Sequence, residues 1–113
     1  MRQSTNTERT KPVSVGHGNR NVRTRKHKEM LSKLPAGIQD LAQAAFRRFE
    51  QDPLDPALEN HPLQDTRRGK HRKGSRAVSV TARYRAIYVV DGDTNVWYWI
   101  GSHEDYNNYT GRK

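Results

Sequence analysis

"YRAIYVVDGDTNVWYWIG", Tyr84 to Gly101, decides the fold. Each half is a run of β-branched and aromatic residues. The Asp91-Gly92-Asp93-Thr94 between them has the composition of a hairpin turn. Two strands joined so tightly must pair antiparallel. Upstream, "AVSVT" (77–81) is a third short β-branched run, and Ala82-Arg83 suits a tight turn before Tyr84. The three runs therefore form an antiparallel meander. Alternation with period two sets Tyr84, Ala86, Tyr88 and Val90 against Arg85, Ile87 and Val89, so both faces of this strand are partly buried. Helices are expected to cover only one face of so small a sheet. The same alternation places Trp97 and Trp99 on one face and Tyr98 on the other, mostly as core, with one ring free to stack on a base.

Working outward, "PAGIQDLAQAAFRRFEQDP" reads as an amphipathic helix. Ile38, Leu41, Ala42, Ala45, Phe46 and Phe49 fall at helical spacing, Pro35 suits the first turn, and Asp52-Pro53 ends it. His27 to Leu34 suits one or two further turns, with Met30, Leu31 and Leu34 on one side. These make a helical hairpin, and the fold class is α+β: a helical hairpin packed on a small antiparallel β-sheet. Between helix and sheet, "LDPALENHPLQDT" has no periodicity and reads as a connector anchored by Leu54, Leu58 and Leu63. The run "RRGKHRKGSR", Arg67 to Arg76, holds six Lys or Arg, one His and no acid. It repels itself and belongs in a solvated loop. Residues 1–20 form a basic arm too poor in apolar side chains to offset the entropy of ordering it, leaving 21–113 as the folded domain. Within or beside the arm, Val13 to Val15 and Val22 to Thr24 can each supply a short strand. The second leads straight into a helix and is preferred.

The 113 residues carry a net charge of +9 and are only 32% hydrophobic, enough for one small domain and no more. So basic a domain is expected to meet a polyanion, RNA or DNA first and an acidic protein second. No apolar run approaches the roughly 20 residues that span a bilayer, and no signal-peptide core follows the basic N-terminus. With no cysteine, disulfides and thiolate chemistry are excluded, which fits the cytoplasm.

Four residues stand out as carriers of chemistry. Arg85 is a charge in mid-strand among apolar neighbours, costly unless paired with an acid or used to bind phosphate and stabilise developing charge. His103 lies just past the last strand, where a side chain is held firmly, and an imidazole is the side chain suited to proton transfer near neutrality. It is followed by Glu104, Asp105 and Tyr106, which can orient it. His61 precedes Pro62, so its backbone is held extended. His71, inside the basic run, reads as a solvated loop residue. The histidines lack ligand-like spacing, so no metal and no other cofactor is expected. Within the basic run, Arg67, Arg68, Lys70, His71, Arg72, Lys73 and Arg76 form the nucleic-acid contact, and Gly69 and Gly74 allow close approach to phosphates.

Taken together, "LSKLPAGIQDLAQAAFRRFEQDP", "HPLQ", "RYRAIY" and "WIGSHEDY" resemble the RelE/ParE superfamily, the toxin halves of type II toxin–antitoxin systems. The resemblance covers His27 to Tyr109 and leaves out the N-terminal arm. It implies the RelE-like microbial RNase fold: an initial strand, here Asn21 to Arg25, then two helices and an antiparallel sheet. It implies one of two activities. The RelE, YoeB, HigB and YafQ branches cut mRNA, mostly in the ribosomal (30S) A site, whereas the ParE branch poisons DNA gyrase and is not a nuclease. "HPLQ" and the Gly-Ser-His ending are similar to YafQ-type toxins, in which both histidines matter. This implies catalytic roles for His61 and His103, with Arg85 on the scissile phosphate, Tyr106 as a C-terminal aromatic, and the basic run on ribosomal RNA and mRNA. Trp99 departs from the pattern, standing where YafQ-like sequences carry an arginine, and the loop after His61 is longer and more basic. The expectation is a metal-independent mRNA endoribonuclease, with a gyrase inhibitor or a non-catalytic RNA-binding relative as the alternatives. The implied partners are a cognate antitoxin, acidic and partly disordered, and mRNA on the ribosome, with no membrane.

Overall fold

The computed structural model describes residues 19–111. The basic arm and the Val13–Val15 run lie outside the described residues, apart from Asn19 and Arg20. In chain order the elements are β1 (Arg20–Arg23), α1 (Arg25–Ser32), α2 (Ala36–Gln51), a 3-10 turn (Pro56–Leu58), β2 (His61–Pro62), β3 (Ser75–Thr81), β4 (Tyr84–Asp91), β5 (Thr94–Ser102) and α3 (His103–Thr110). The sheet order is β1-β5-β4-β3-β2. The expected meander is β3-β4-β5, and Gly92, at φ 62°, supplies the left-handed residue its second hairpin needs. The expected first strand is present, but it runs parallel to β5. The helical hairpin makes this possible. It carries the chain across the sheet from the β1 edge to the β2 edge, and the meander then returns to β1's side.

Local chemistry sets the helix limits. The Thr24 side chain accepts the His27 N–H and caps α1. Pro35 stands at the N-cap of α2, and the Gln39 side-chain amide donates to the Leu34 carbonyl (2.9 Å), stitching the end of α1 to the start of α2. No described helix is long and apolar enough to cross a membrane.

The sheet divides two cores. Under α1 and α2 lie Leu31, Ala42, Ala45, Phe49, Leu58, Val78, Ala86, Tyr88, Trp97 and Ile100. Trp97 is its centre, with Phe46, Phe49 and Tyr88 rings at centroid distances of 5.0, 4.9 and 4.5 Å and its indole N–H on the Asn21 side chain (3.0 Å). On the other face Leu63, Ala77, Ile87, Tyr98, Trp99 and Tyr106 pack together beneath α3.

Four expectations need correction. A β-bulge separates the two tryptophans. Ile87 pairs with Trp99 but Tyr88 pairs with Trp97, so Tyr98 is an extra residue in β5. The extra residue reverses the alternation, leaving Trp97 alone toward the helical hairpin while Tyr98 and Trp99 share the other face. Both faces of the sheet are covered, because the segment just past the last strand, His103–Thr110, forms a helix capped by Ser102 onto the Asp105 N–H (3.1 Å). Leu58 and Leu63 are buried anchors, but Leu54 is 58% exposed, and so is about half of Leu41 on α2. His71 is not a solvated side chain. Its ring is 1% exposed, its Nε2 lies 3.0 Å from the Gln64 carbonyl, and Asp65 stands 3.9 Å away.

Candidate functional site

The connector builds the first wall of a cleft. Asp55 caps the 3-10 turn through the Ala57 N–H, and Glu59 ends it with left-handed backbone angles, φ 50° and ψ 42°. Asn60 then clamps the segment to the sheet. Its amide donates to the Tyr88 hydroxyl and the Pro53 carbonyl (both 3.0 Å), and its oxygen accepts from Arg76 Nε (2.9 Å). This delivers His61 to β2, where it pairs with Ala77.

The second wall is the start of α3. The His103 N–H donates to the Arg83 carbonyl (2.7 Å), tying the helix to the β3–β4 turn. One turn later Tyr106 is 2% exposed, and the His103 and Tyr106 rings lie near-parallel at a centroid distance of 5.9 Å. Arg85 enters between the walls from β4, opposite Ser79 on one side and Gly101 on the other. Gly101 is required by its neighbours, since a Cβ there would stand 2.9 Å from Trp99 Cη2.

Glu59, Asn60, His61, Arg85, His103, Tyr106 and Asn107 line one open cleft of about 790 Å³. All four expected catalytic residues therefore meet, drawn from three separate segments of the chain. The sequence reading did not single out Glu59, Asn60 or Asn107. Asn107 is four residues from His103 on the same helix, and Ser102 with Asp105 three positions on is the capping signature that marks that helix.

The polar contacts order the cleft. Glu59's carbonyl can only accept, so the His61 Nδ1 that lies 2.8 Å from it carries the proton. In the Nδ1–H tautomer Nε2 is the acceptor, and the Tyr106 hydroxyl, 3.3 Å away, faces it as donor. Arg85 makes no ion pair among the described residues. Its Nη1 donates to the carbonyls of Thr81 (2.8 Å), Ala82 (3.3 Å) and Tyr84 (3.2 Å), which hold the guanidinium at the cleft while leaving its charge unneutralised. Among the described residues no three His, Cys, Asp or Glu side chains group as metal ligands would.

The basic run is a shaped loop, not a free one. The Lys70 N–H donates to the Tyr109 carbonyl (2.7 Å) and Thr66 Oγ1 to the Thr110 carbonyl (3.3 Å), so cationic chain closes the C-terminal end of α3. The Arg72 N–H reaches the Tyr98 hydroxyl (2.8 Å), which also contacts Ser75 Oγ (2.6 Å), and the Arg72 guanidinium lies 5.2 Å over the Tyr98 ring. Arg67, Arg68, Lys70, Arg72 and Lys73 remain exposed, Arg76 is half-buried on β3 beside Asn60, and His71 is tucked under the loop. A recess of about 340 Å³, lined by Pro62, Leu63, Gln64, Thr66 and Thr110, lies between this loop and the cleft along the same two segments.

A second group is set apart from the cleft. His27 is fully buried in α1, 5.5 Å from the Phe46 ring, and neither ring nitrogen has a hydrogen-bond partner among the described residues. Burial, aided by the nearby Arg23 charge, lowers its pKa to about 4.

Residues 36–108 match the family model for the ParE-like toxin domain. No curated protein matches the sequence. Among solved structures, the fold is similar to that of YafQ from E. coli strain BL21(DE3), with a TM-score of 0.59 and 15% identity over 78% of this chain and 97% of that one. It is similar to the RelB-RelE antitoxin-toxin complex of Methanococcus jannaschii, with a TM-score of 0.59 and 12% identity over 78% and 96%. It is also similar to the toxin-antitoxin complex RelBE2 of Mycobacterium tuberculosis, with a TM-score of 0.55 and 21% identity over 76% and 99%.

Proposed function

Since the chain belongs to the ParE-like toxin domain family, and with it to the RelE/ParE superfamily of toxin–antitoxin toxins, we propose that it is an endoribonuclease that cuts single-stranded mRNA on the ribosome and so inhibits translation. The toxin domain would be 21–113, preceded by the basic arm 1–20. The observation that carries the reading is the convergence of His61, Arg85, His103 and Tyr106 on one open cleft. A gyrase poison needs a binding surface, not two imidazoles, a fixed guanidinium and a phenol facing one space.

The reaction these groups suit is internal transesterification, which needs a base, an acid and a cation and can proceed without a metal. His61 Nε2, the ring nitrogen left as acceptor in the Nδ1–H tautomer, takes the proton of a ribose 2′-OH. The 2′-oxygen attacks the adjacent phosphorus and the bond from phosphorus to O5′ breaks. Protonated His103 gives its proton to the leaving O5′, producing a 2′,3′-cyclic phosphate and a 5′-OH. Arg85 stabilises the charge that builds on the phosphorane oxygens. Tyr106 holds the His61 ring in place before substrate arrives and then positions the phosphate or base. Arg67, Arg68, Lys70, Arg72 and Lys73 hold mRNA and ribosomal RNA backbone along the loop that His71 anchors, and Arg76 does so nearest the cleft. The partner is a cognate antitoxin, acidic and partly disordered, laid over this basic surface. Work on the ribosome would place the protein in the cytoplasm.

The ParE-like family match favours a second reading, inhibition of DNA gyrase without nuclease activity. One pair of assays separates the two. Ribosome-bound mRNA should be cut in the presence of the protein, leaving cyclic-phosphate ends, and gyrase supercoiling should be unaffected. Inhibited supercoiling with intact RNA would establish the second reading. Full cleavage by both His103→Ala and Arg85→Ala would overturn the residue assignment.

A further inference from the structure

Glu59 is an unexpected residue at its position. It is the one non-glycine residue with a positive φ among the described residues, at 50°, a conformation that is strained for an ordinary side chain and that glycine adopts freely. Strain of this kind persists where surrounding contacts impose it, and it gathers at functional sites. Two contacts accompany it here. The Glu59 carboxylate accepts a hydrogen bond from Ser79 Oγ at 2.5 Å, from the β3 residue paired with Arg85. The left-handed backbone turns the Glu59 carbonyl onto His61 Nδ1 at 2.8 Å.

We propose that Glu59 is a positioning residue for His61. The Ser79 tether holds the backbone in the left-handed conformation, the carbonyl so aimed keeps the imidazole proton on Nδ1, and Nε2 is left to face Tyr106 and the cleft. The same tether ties the connector that carries His61 to the strand position beside Arg85, so base and phosphate-binding charge share one frame. The inference rests on the nuclease reading for its consequence, but not for its structural claim.

Glu59→Gly separates positioning from folding. Glycine suits the backbone angles, so the variant should melt at or above the temperature of the parent. Without the tether the carbonyl is free to turn, and the His61 proton should redistribute between the two nitrogens. The ring-nitrogen NMR signals of His61 should report the parent as the Nδ1–H form and Glu59→Gly as a mixture. Ser79→Ala should give the same mixture, and Glu59→Gln, which keeps an acceptor for Ser79, should restore the parent pattern. RNA cleavage should fall about tenfold in the first two variants, the loss of roughly one hydrogen bond's worth of positioning, and recover in the third. Unchanged His61 signals in Glu59→Gly and Ser79→Ala would overturn the proposal, as would redistributed signals with full cleavage. A parent protein that cuts no RNA would sink the nuclease reading alone, because the NMR arm needs no activity.

Discussion

The two faces of β4 differ by a single residue step and do different things. Ala86, Tyr88 and Val90 point into the core beneath the helical hairpin, where aromatic rings close around Trp97. Ile87 and Val89 begin the same kind of core under α3, but the next residue on that face toward the strand start is Arg85, and there the surface opens into the cleft. One face is sealed at Ala86 and Tyr88 and half-covered at its ends, and the other is packed at Ile87 and Val89 and wet at Arg85. The dry half holds α3 in place, so that His103 and Tyr106 reach the wet half from a fixed base. The sealed face should therefore answer substitution with lost stability, and the open end with lost activity at nearly constant stability.

The largest effect is expected at the centre of the sealed face. Trp97→Ala removes a fully buried indole and its bond to Asn21, and should cost about 3–5 kcal/mol, a large share of the stability of so small a domain. Thermal melting checks it. A loss under about 1 kcal/mol would mean that the hairpin face is not the one that holds the fold.

Arg85→Ala is the counterpart on the open end. The bonds it loses are to carbonyls in and beside the β3–β4 turn, where water can replace the guanidinium, so the melting temperature should move by only a few degrees. Cleavage should fall by about 10²–10³, the usual consequence of removing a charge that stabilises a transition state. Single-turnover cutting and a melt on the same sample decide it. Comparable losses of stability in Arg85→Ala and Trp97→Ala would erase the distinction between the faces.

This division was legible in the sequence where it rests on local pattern and hidden where it rests on pairing. Alternation located β3, β4 and β5 and set Ile87 opposite Tyr88, because strand geometry follows from neighbouring residues alone. It failed at Trp97 and Trp99, because the bulge is a property of β5 laid against β4 and Tyr98 carries no mark of being the extra residue. The helix α3 is short and polar and carries no apolar periodicity, and only its Ser102 cap marks it in the sequence. His61, Arg85, His103 and Tyr106 could be named from residue chemistry and family resemblance. Glu59 could not, since its role lies in a backbone angle and a carbonyl, which every residue possesses. His71 reads as a solvated loop residue and His27 as the first residue of a helical stretch, and only the fold encloses them.

His27 gives the sealed face a pH limit. Its folded pKa, lowered to about 4, lies below the ordinary value of 6.5. Between these values the unfolded chain binds a proton that the native protein refuses. Its penalty is therefore absent above about pH 6.5, grows as pH falls toward 4, and approaches roughly 3 kcal/mol below that. His27→Leu should flatten this part of the stability profile relative to the parent. It should also gain about 1 kcal/mol at pH 7, where two buried nitrogens without partners among the described residues are removed. Denaturant melts of both proteins from pH 7 to pH 4 test this. Parallel profiles would show that the imidazole finds water or a partner within the core.

The smallest effect is expected at Tyr106, which belongs to both halves of the second face. Its ring is core, 2% exposed and 6.4 Å from the Trp99 ring, while its hydroxyl is the cleft-side partner of His61 Nε2. Tyr106→Phe keeps the first property and removes the second. Stability should change by no more than about 1 kcal/mol, because the lost bond is long at 3.3 Å and solvent at the open cleft can replace it. Cleavage should fall by about tenfold or less, since the ring of His61 loses one of its two restraints and retains the Glu59 carbonyl. Tyr106→Ala removes ring and hydroxyl together and should lose both stability and activity. If Tyr106→Phe loses as much cleavage as Arg85→Ala, the hydroxyl takes part in the proton transfers themselves, and the boundary between core and chemistry on this face runs through that one side chain.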